Sequence, residues 1–216
     1  MADNKDSMKG WDKEVYLIRH GETAYNKLNI IQGRGVNSSL NETGLKQAEA
    51  FYNYYKHVHF NHIFTSSLLR TQQTVQPFTD HERYQYFSFQ GLDEINWGTH
   101  EGKAPSASLT DEYAAMTKAW REGHLHKKIP GGESPIDLQN RQRDFLDNVL
   151  STYHGKIIIC THGRALRCLL CTMLDVDLSK MDDFPHNNLS LYLLRGTDDG
   201  LFDVELFNSL DHLKNI

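Results

Sequence analysis

Hydrophobic and polar positions change period several times along the chain, and each change predicts an element. Val15-Tyr16-Leu17-Ile18 is a compact apolar run that stops at the charged Arg19-His20. Asn61-His62-Ile63-Phe64-Thr65 forms a second run and Tyr86-Phe87-Ser88-Phe89 a third. Lys156-Ile157-Ile158-Ile159-Cys160-Thr161 is apolar and β-branched at consecutive positions, which predicts a strand covered on both faces. Residues 189–195 and 201–207 read as a closing pair, with Gly196 and Asp198-Asp199-Gly200 supplying the turn.

Between these runs the period lengthens. Leu45, Ala48, Tyr52 and Tyr55 fall on one face of a helix, with Asn41 as its cap and Glu42 in its first turn. Ser134-Pro135-Ile136-Asp137 is a stronger start signal, joining a cap, a proline at the first helical position and an acid three residues on. Phe145, Leu146, Val149 and Leu150 then supply the buried stripe. Strand and helix in alternation predict a three-layer α/β/α sandwich with a mostly parallel central sheet and helices on both faces. A single domain over residues 1–216 is expected, with the polar residues 1–12 flexible. Residues 96–132 break the alternation, with Gly98, Gly102, Pro105, Gly123 and Pro130-Gly131-Gly132 around one helical patch near residues 111–120. They read as an insertion covering the carboxyl end of the sheet.

Composition narrows the partners. The formal net charge is -5 and no basic run offers a nucleic-acid footprint, so an anionic substrate needs a local basic pocket. No apolar run is long enough to span a bilayer. The three cysteines, Cys160, Cys168 and Cys171, share one apolar stretch, and no secretory signal precedes them. Reduced thiols in the cytoplasm are the expectation. Cys168 and Cys171 lack the second pair that a structural zinc site needs, and read as core. His57, His59, His62, His124 and His126 read as surface or packing residues, because no nearby acid or cysteine completes a metal site.

Ligands of open parallel sheets sit just beyond the carboxyl ends of the strands. Three runs end in reactive residues: Arg19-His20-Gly21, Thr65-Ser66-Ser67 with Arg70, and Thr161-His162-Gly163. Glu94 follows the third candidate strand. Two histidines, two arginines and a carboxylate suit phosphoryl transfer, which needs positioning and charge stabilisation more than covalent machinery. Guanidinium forks match phosphate oxygens, a neutral imidazole attacks phosphorus, and a carboxyl group protonates the departing alkoxide.

At these residues the chain resembles the histidine phosphatase superfamily, also called phosphoglycerate mutase-like. Arg19-His20-Gly21-Glu22-Thr23 with Ala24-Tyr25-Asn26 resembles the family signature, and Ile31-Gln32-Gly33 and Leu40-Asn41-Glu42-Thr43-Gly44 resemble the stretch after it. Ser66-Ser67-Leu68-Leu69-Arg70-Thr71 is similar to the block bringing the second arginine, and Leu92-Asp93-Glu94-Ile95-Asn96-Trp97-Gly98 to the block carrying the acid. Pro130-Gly131-Gly132-Glu133-Ser134 and Thr161-His162-Gly163 complete the series in family order.

The resemblance implies that His20 is phosphorylated transiently, that Arg19, Arg70 and His162 hold the phosphoryl oxygens, and that Glu94 donates and then accepts a proton. Asp93 and Glu101 are the neighbouring alternatives for the acid. Asn26 would support the phosphate pocket, with Gln32, Gly33, Gly21, Thr23 and Gly163 around the substrate. Arg164 stands where the family usually has a small residue and offers a further contact to an anion; His100 stands where an aromatic residue is commoner. The expected function is a phosphomonoesterase acting on a small phosphorylated metabolite without metal or cofactor. A phosphoglycerate mutase is the enzymatic alternative, and a catalytically silent phosphate-binding scaffold the alternative of another class. The expected partner is a small phosphate ester, with no nucleic acid and no membrane, and a homodimer is compatible with the chain.

Overall fold

The computed structural model describes residues 13–82, 84–196, 200–214 and 216. The polar first dozen residues and the Asp198-Asp199 part of the expected closing turn lie outside them. Strands form where apolar residues run consecutively: β1 (Lys13–Arg19), β2 (His62–Thr65), β3 (Tyr86–Ser88) and β4 (Gly155–Thr161), then β5 (Leu191–Gly196) and β6 (Phe202–Ser209). They make one sheet in the order β3-β2-β4-β1-β5-β6. The first four are parallel, and β5 and β6 complete the sheet antiparallel.

Alternation along the two central strands explains the layers. Val15, Leu17, Ile157 and Ile159 face one side and pack with Leu138 and Phe145 of α5 (Pro135–Asn148) and Leu166 and Leu169 of α6 (Gly163–Met173). Tyr16, Ile18, Ile158 and Cys160 face the other and meet Ala48, Phe51 and Tyr52 of α2 (Glu42–Tyr55) and Val75 and Phe78 of α3 (Leu69–Glu82). Each fully buried side chain of this size contributes roughly 1.5–3 kcal/mol, so both faces favour these helices. A short α1 (Ala24–Lys27) follows β1, and α4 (Ala107–Arg121) lies in the irregular segment.

The start signals act as read. Asn41 Oδ1 accepts from Gly44 N, and Ser134 and Asp137 form a reciprocal capping box. Two stripes shift. Leu45 is 50% exposed, and Phe51 takes the buried face instead, because the sheet lies on the side of Ala48, Phe51, Tyr52 and Tyr55. α5 ends at Asn148 and buries Leu138, Gln142 and Phe145; Leu146 and Val149 are half-buried, and Leu150 belongs to the following 3-10 turn. Gly196 ends β5 and does not open the turn.

The topology creates one crevice. β1 and β4 are hydrogen-bonded neighbours, with Arg19 opposite Thr161. The chain after β1 runs to helices on one face and the chain after β4 to α6 on the other. Their carboxyl ends therefore leave a gap, the usual ligand position in such sheets.

Candidate active site

Both strand-end histidines stand at this gap. His20 N donates to Thr161 O at 2.9 Å, extending the β1–β4 ladder one residue past β1, and the two imidazole centroids are 5.1 Å apart. A cleft of about 220 Å³ opens over them, lined by Arg19, His20, Asn26, Gln32, Glu94, Gly163 and Arg164 among others. Of the three candidate acids only Glu94 lines it. Asp93 is turned to Ser67, whose N and Oγ donate to it at 2.8 Å, and Glu101 Oε1 accepts from Trp97 N.

Hydrogen bonds assign the tautomers. His20 Nδ1 lies 2.7 Å from the Gly21 carbonyl, which can only accept, so Nδ1 carries the proton and Nε2 the free lone pair. His162 is the reverse. Arg70 Nε can only donate, at 3.1 Å to His162 Nδ1, so His162 Nε2–H donates to Ser66 Oγ at 2.7 Å. Burial, then the charges of Arg70 and Arg19, holds His20 well below the usual imidazole range, against the opposing pull of the Gly21 carbonyl. Burial and Arg70 do the same to His162. Both rings are neutral at physiological pH.

The arginines are charged and have no counter-ion among the described residues. Burial lowers Arg19 and Arg70 to about 10, which still leaves them protonated at neutral pH. Neither has a carboxylate within ion-pair distance among the described residues, and the buried Arg19 Nε finds no hydrogen-bond partner there. A buried cation without a counter-ion is costly, so the site favours an anion. Arg70 and His162 sit directly behind the cleft surface. Arg70 is fully buried and donates to the carbonyls of Val36 and, weakly at 3.4 Å, of Gly33.

Glu94 owes its place to α6. His162 stands at the N-cap of that helix and supplies no side-chain cap. The Glu94 carboxylate does so instead, accepting from Arg164 N at 3.1 Å and Ala165 N at 2.9 Å, and from its neighbour Ile95 N at 2.9 Å. The Arg164 side chain is buried in the cleft wall. It donates to Asp182 Oδ1 at 2.6 Å and Tyr113 Oη at 3.1 Å, with its guanidinium 5.4 Å from the Trp120 ring centroid. Asn26 and Gln32 brace the loop after β1: Asn26 Oδ1 accepts from Thr23 N, and Gln32 Nε2 donates to Thr23 Oγ1 at 2.8 Å. Gly21, Thr23 and Gly33 lie behind the lining. A Cβ on Gly21 would meet Gly44 O at 2.8 Å, and one on Gly33 would run into Glu101.

Sequence reasoning missed His186 and Asn188. His186 lines the cleft, and its Nδ1 accepts from Arg19 Nη1 at 3.1 Å; burial, then Arg19, pushes its imidazole down to about 2. Gly163 makes room, since a Cβ there would lie 2.9 Å from the ring. Asn188 Nδ2 donates to His20 O and Asn26 Oδ1, both at 3.1 Å. The signal was present in Pro185-His186-Asn187-Asn188, a polar run at the start of a strand. β5 is antiparallel, so its beginning lies at the rim where parallel strands end.

Residues 15–209 match the profile of the histidine phosphatase superfamily, branch 1. A Yersinia pestis protein bearing the name probable phosphoglycerate mutase is 38% identical over 162 residues, covering 74% of each chain. Among solved structures, YhfR of Bacillus stearothermophilus superposes with a TM-score of 0.80 at 25% identity, over 94% of this chain and 100% of that one. The alpha-ribazole phosphatase of Shigella flexneri gives 0.79 at 22% identity, over 91% and 96%. A mycobacterial glucosyl-3-phosphoglycerate phosphatase gives 0.79 at 21%, over 91% and 98%. The chain belongs to the histidine phosphatase superfamily, and so to a group of enzymes that are phosphatases and mutases.

Proposed function

We propose that the chain is a phosphomonoesterase that hydrolyses a small phosphorylated metabolite through a phosphohistidine on His20. The observation that carries this reading is the state of His20, a neutral ring with Nδ1 committed to Gly21 O and its Nε2 lone pair free beside two arginines that lack counter-ions among the described residues. Nε2 attacks phosphorus as the ester P–O bond breaks, and Glu94 hands its proton to the leaving alkoxide. Water then attacks the phosphohistidine and gives a proton to Glu94, which releases inorganic phosphate and restores His20. Arg19, whose Nε has no partner among the described residues, holds the phosphoryl oxygens. Arg70 and His162 join it by exchanging protein partners for phosphoryl oxygens; the 3.4 Å bond to Gly33 O is weak, and charge-assisted bonds to phosphate are roughly twice as strong as neutral ones. The arginines supply the positive charge, so the scheme uses no metal or cofactor.

Rapid mixing with a phosphate ester and an alkaline quench should trap an acid-labile phosphoryl group on the protein, absent in His20→Ala. A folded, phosphate-binding protein that traps nothing and turns over no ester would instead be a binding or scaffold protein. The 38% identity to a protein named as a phosphoglycerate mutase favours a second reading, in which the phosphoryl group returns to another substrate oxygen. Interconversion of 2- and 3-phosphoglycerate that depends on a bisphosphate primer, outpacing phosphate release, would establish it. A cytoplasmic site of action fits the three buried free thiols. No helix among the described residues is long and apolar enough to cross a membrane.

A further inference from the structure

The wall of the cleft continues outward into a second chamber. Asn29, Ile31 and Tyr113 border the space over His20 and also a neighbouring cavity of about 200 Å³, completed by Lys103, Pro105, Leu109 and Thr110. The two spaces differ in chemistry. The inner one presents Arg19, His20, Glu94, Arg164 and His186. The outer one presents chiefly carbon, from Ile31, Pro105, Leu109 and the Tyr113 ring, and among the described residues Lys103 is the one charged residue that lines it.

The outer walls are tied in place. Gly102 N donates to Ile31 O at 2.9 Å, joining the loop after α1 to the irregular segment. Ser106 caps α4 by accepting from Leu109 N. Tyr113 is held at both ends, its ring 4.9 Å from that of Trp97 and its hydroxyl accepting from Arg164 Nη2 at 3.1 Å. A residue that anchors the cationic wall of the inner space thus also forms the apolar wall of the outer one.

We propose that the outer chamber is a substrate subsite, and that the enzyme prefers phosphate monoesters whose alcohol carries an apolar body over compact charged ones. This rests on the phosphomonoesterase reading of the inner site. An apolar cavity of roughly 150 Å³ already holds a benzene ring, so the outer space accepts an aryl group or an alkyl chain of about six carbons. Ligand pockets commonly join a few fixed polar groups to a mainly apolar lining, which is the division between these two spaces. A phosphoglycerate is short and carries two anionic groups, a carboxylate and a phosphate. It fills the inner space and leaves Pro105 and Leu109, which line the outer one alone, facing water.

The test is a series of n-alkyl phosphates from ethyl to decyl, with 3-phosphoglycerate beside them, read as phosphate release. Each methylene that enters the outer chamber raises kcat/KM about fourfold, until the chamber is full and the curve flattens. Leu109→Gln and Tyr113→Ala lower the octyl-to-ethyl ratio roughly tenfold, because they remove apolar wall from the outer chamber. The ratio is taken within each variant, so a general loss of activity cancels. Calorimetry with octylphosphonate and ethylphosphonate reads the same preference without turnover. A flat alkyl series, equal phosphonate affinities, or 3-phosphoglycerate turned over faster than octyl phosphate overturns the subsite. A retained octylphosphonate preference with no turnover of any ester overturns the hydrolase reading and leaves the subsite standing.

Discussion

Replacing Gly44 by alanine should damage the protein although it improves a helix. Alanine in a helix is ordinarily worth roughly 0.5–1 kcal/mol over glycine. Gly44, in the first turn of α2, packs on the loop that leaves β1. A Cβ there would collide with the Glu22 carbonyl oxygen and would lie 2.8 Å from Glu22 N and 3.0 Å from Glu22 C, all of them backbone. Non-bonded carbon contacts settle near 3.5–4.0 Å, so something must move by roughly 1 Å. α2 is pinned by Phe51, Tyr52 and Tyr55 in the core, so the loop yields first. That loop is held by Asn41 N to Glu22 O at 2.9 Å, Glu22 N to Gln47 Oε1 at 2.8 Å and Gly21 N to Thr74 Oγ1 at 3.0 Å. Losing one or two of these bonds and overpacking the contact costs about 2–4 kcal/mol after the propensity gain. For a chain of this size that lowers Tm by roughly 5–15 °C. Activity falls further, since Glu22 is two residues from His20, the nucleophile proposed above, and a 1 Å misplacement of catalytic groups costs about 100-fold. Thermal melts followed by circular dichroism and phosphate-release kinetics read both effects. Leu45→Ala, on the exposed face of the same helix, is the control and should move Tm by less than about 2 °C. A Gly44→Ala protein with wild-type Tm and kcat/KM would show that the backbone contact places nothing.

The depressed histidines make stability depend on pH. His20 and His162 are neutral in the folded protein, as is His186, whereas the unfolded chain protonates all three below pH 6.5; stability is therefore full above about pH 7 and falls with acidification, by about 2 kcal/mol at pH 5 for each of the three. Urea unfolding from pH 7 to 5 should follow that slope, and stability that rises toward pH 5 would contradict the assignment of these rings. Asp182→Ala should cost about 3–5 kcal/mol by leaving Arg164, 4% exposed, without its carboxylate. Adding Arg164→Met should recover much of that loss in urea titrations, whereas simple additivity would mean that charge burial is not the cause. Gly163→Ala pushes the movable His186 ring away from Arg19, so Tm should change by less than about 3 °C while KM for a phosphate ester rises about tenfold. An unaltered KM would remove His186 from the positioning of Arg19.

Short-range chemistry was legible along the chain. Consecutive apolar residues at 15–18 and 157–160 announced strands buried on both faces, because each face of a pleated strand needs its own cover. Asn41 and Ser134 announced helix starts, because a cap acts within three residues. The reactive residues at strand ends were visible for the same reason. Tertiary structure decided the rest. Leu45 faces solvent and Phe51 the sheet because the direction of a helical stripe is set by what it packs on. His186 and Asn188 reach the site because β5 runs antiparallel and begins at the rim where β1 and β4 end. Glu94 meets residues about seventy positions away at the amino end of α6, and the tautomers of His20 and His162 follow from a carbonyl and a guanidinium that only the fold brings to them. Caps and periodicity act within a few residues along the chain, whereas a catalytic cleft is assembled from the ends of strands made neighbours by the order of the sheet.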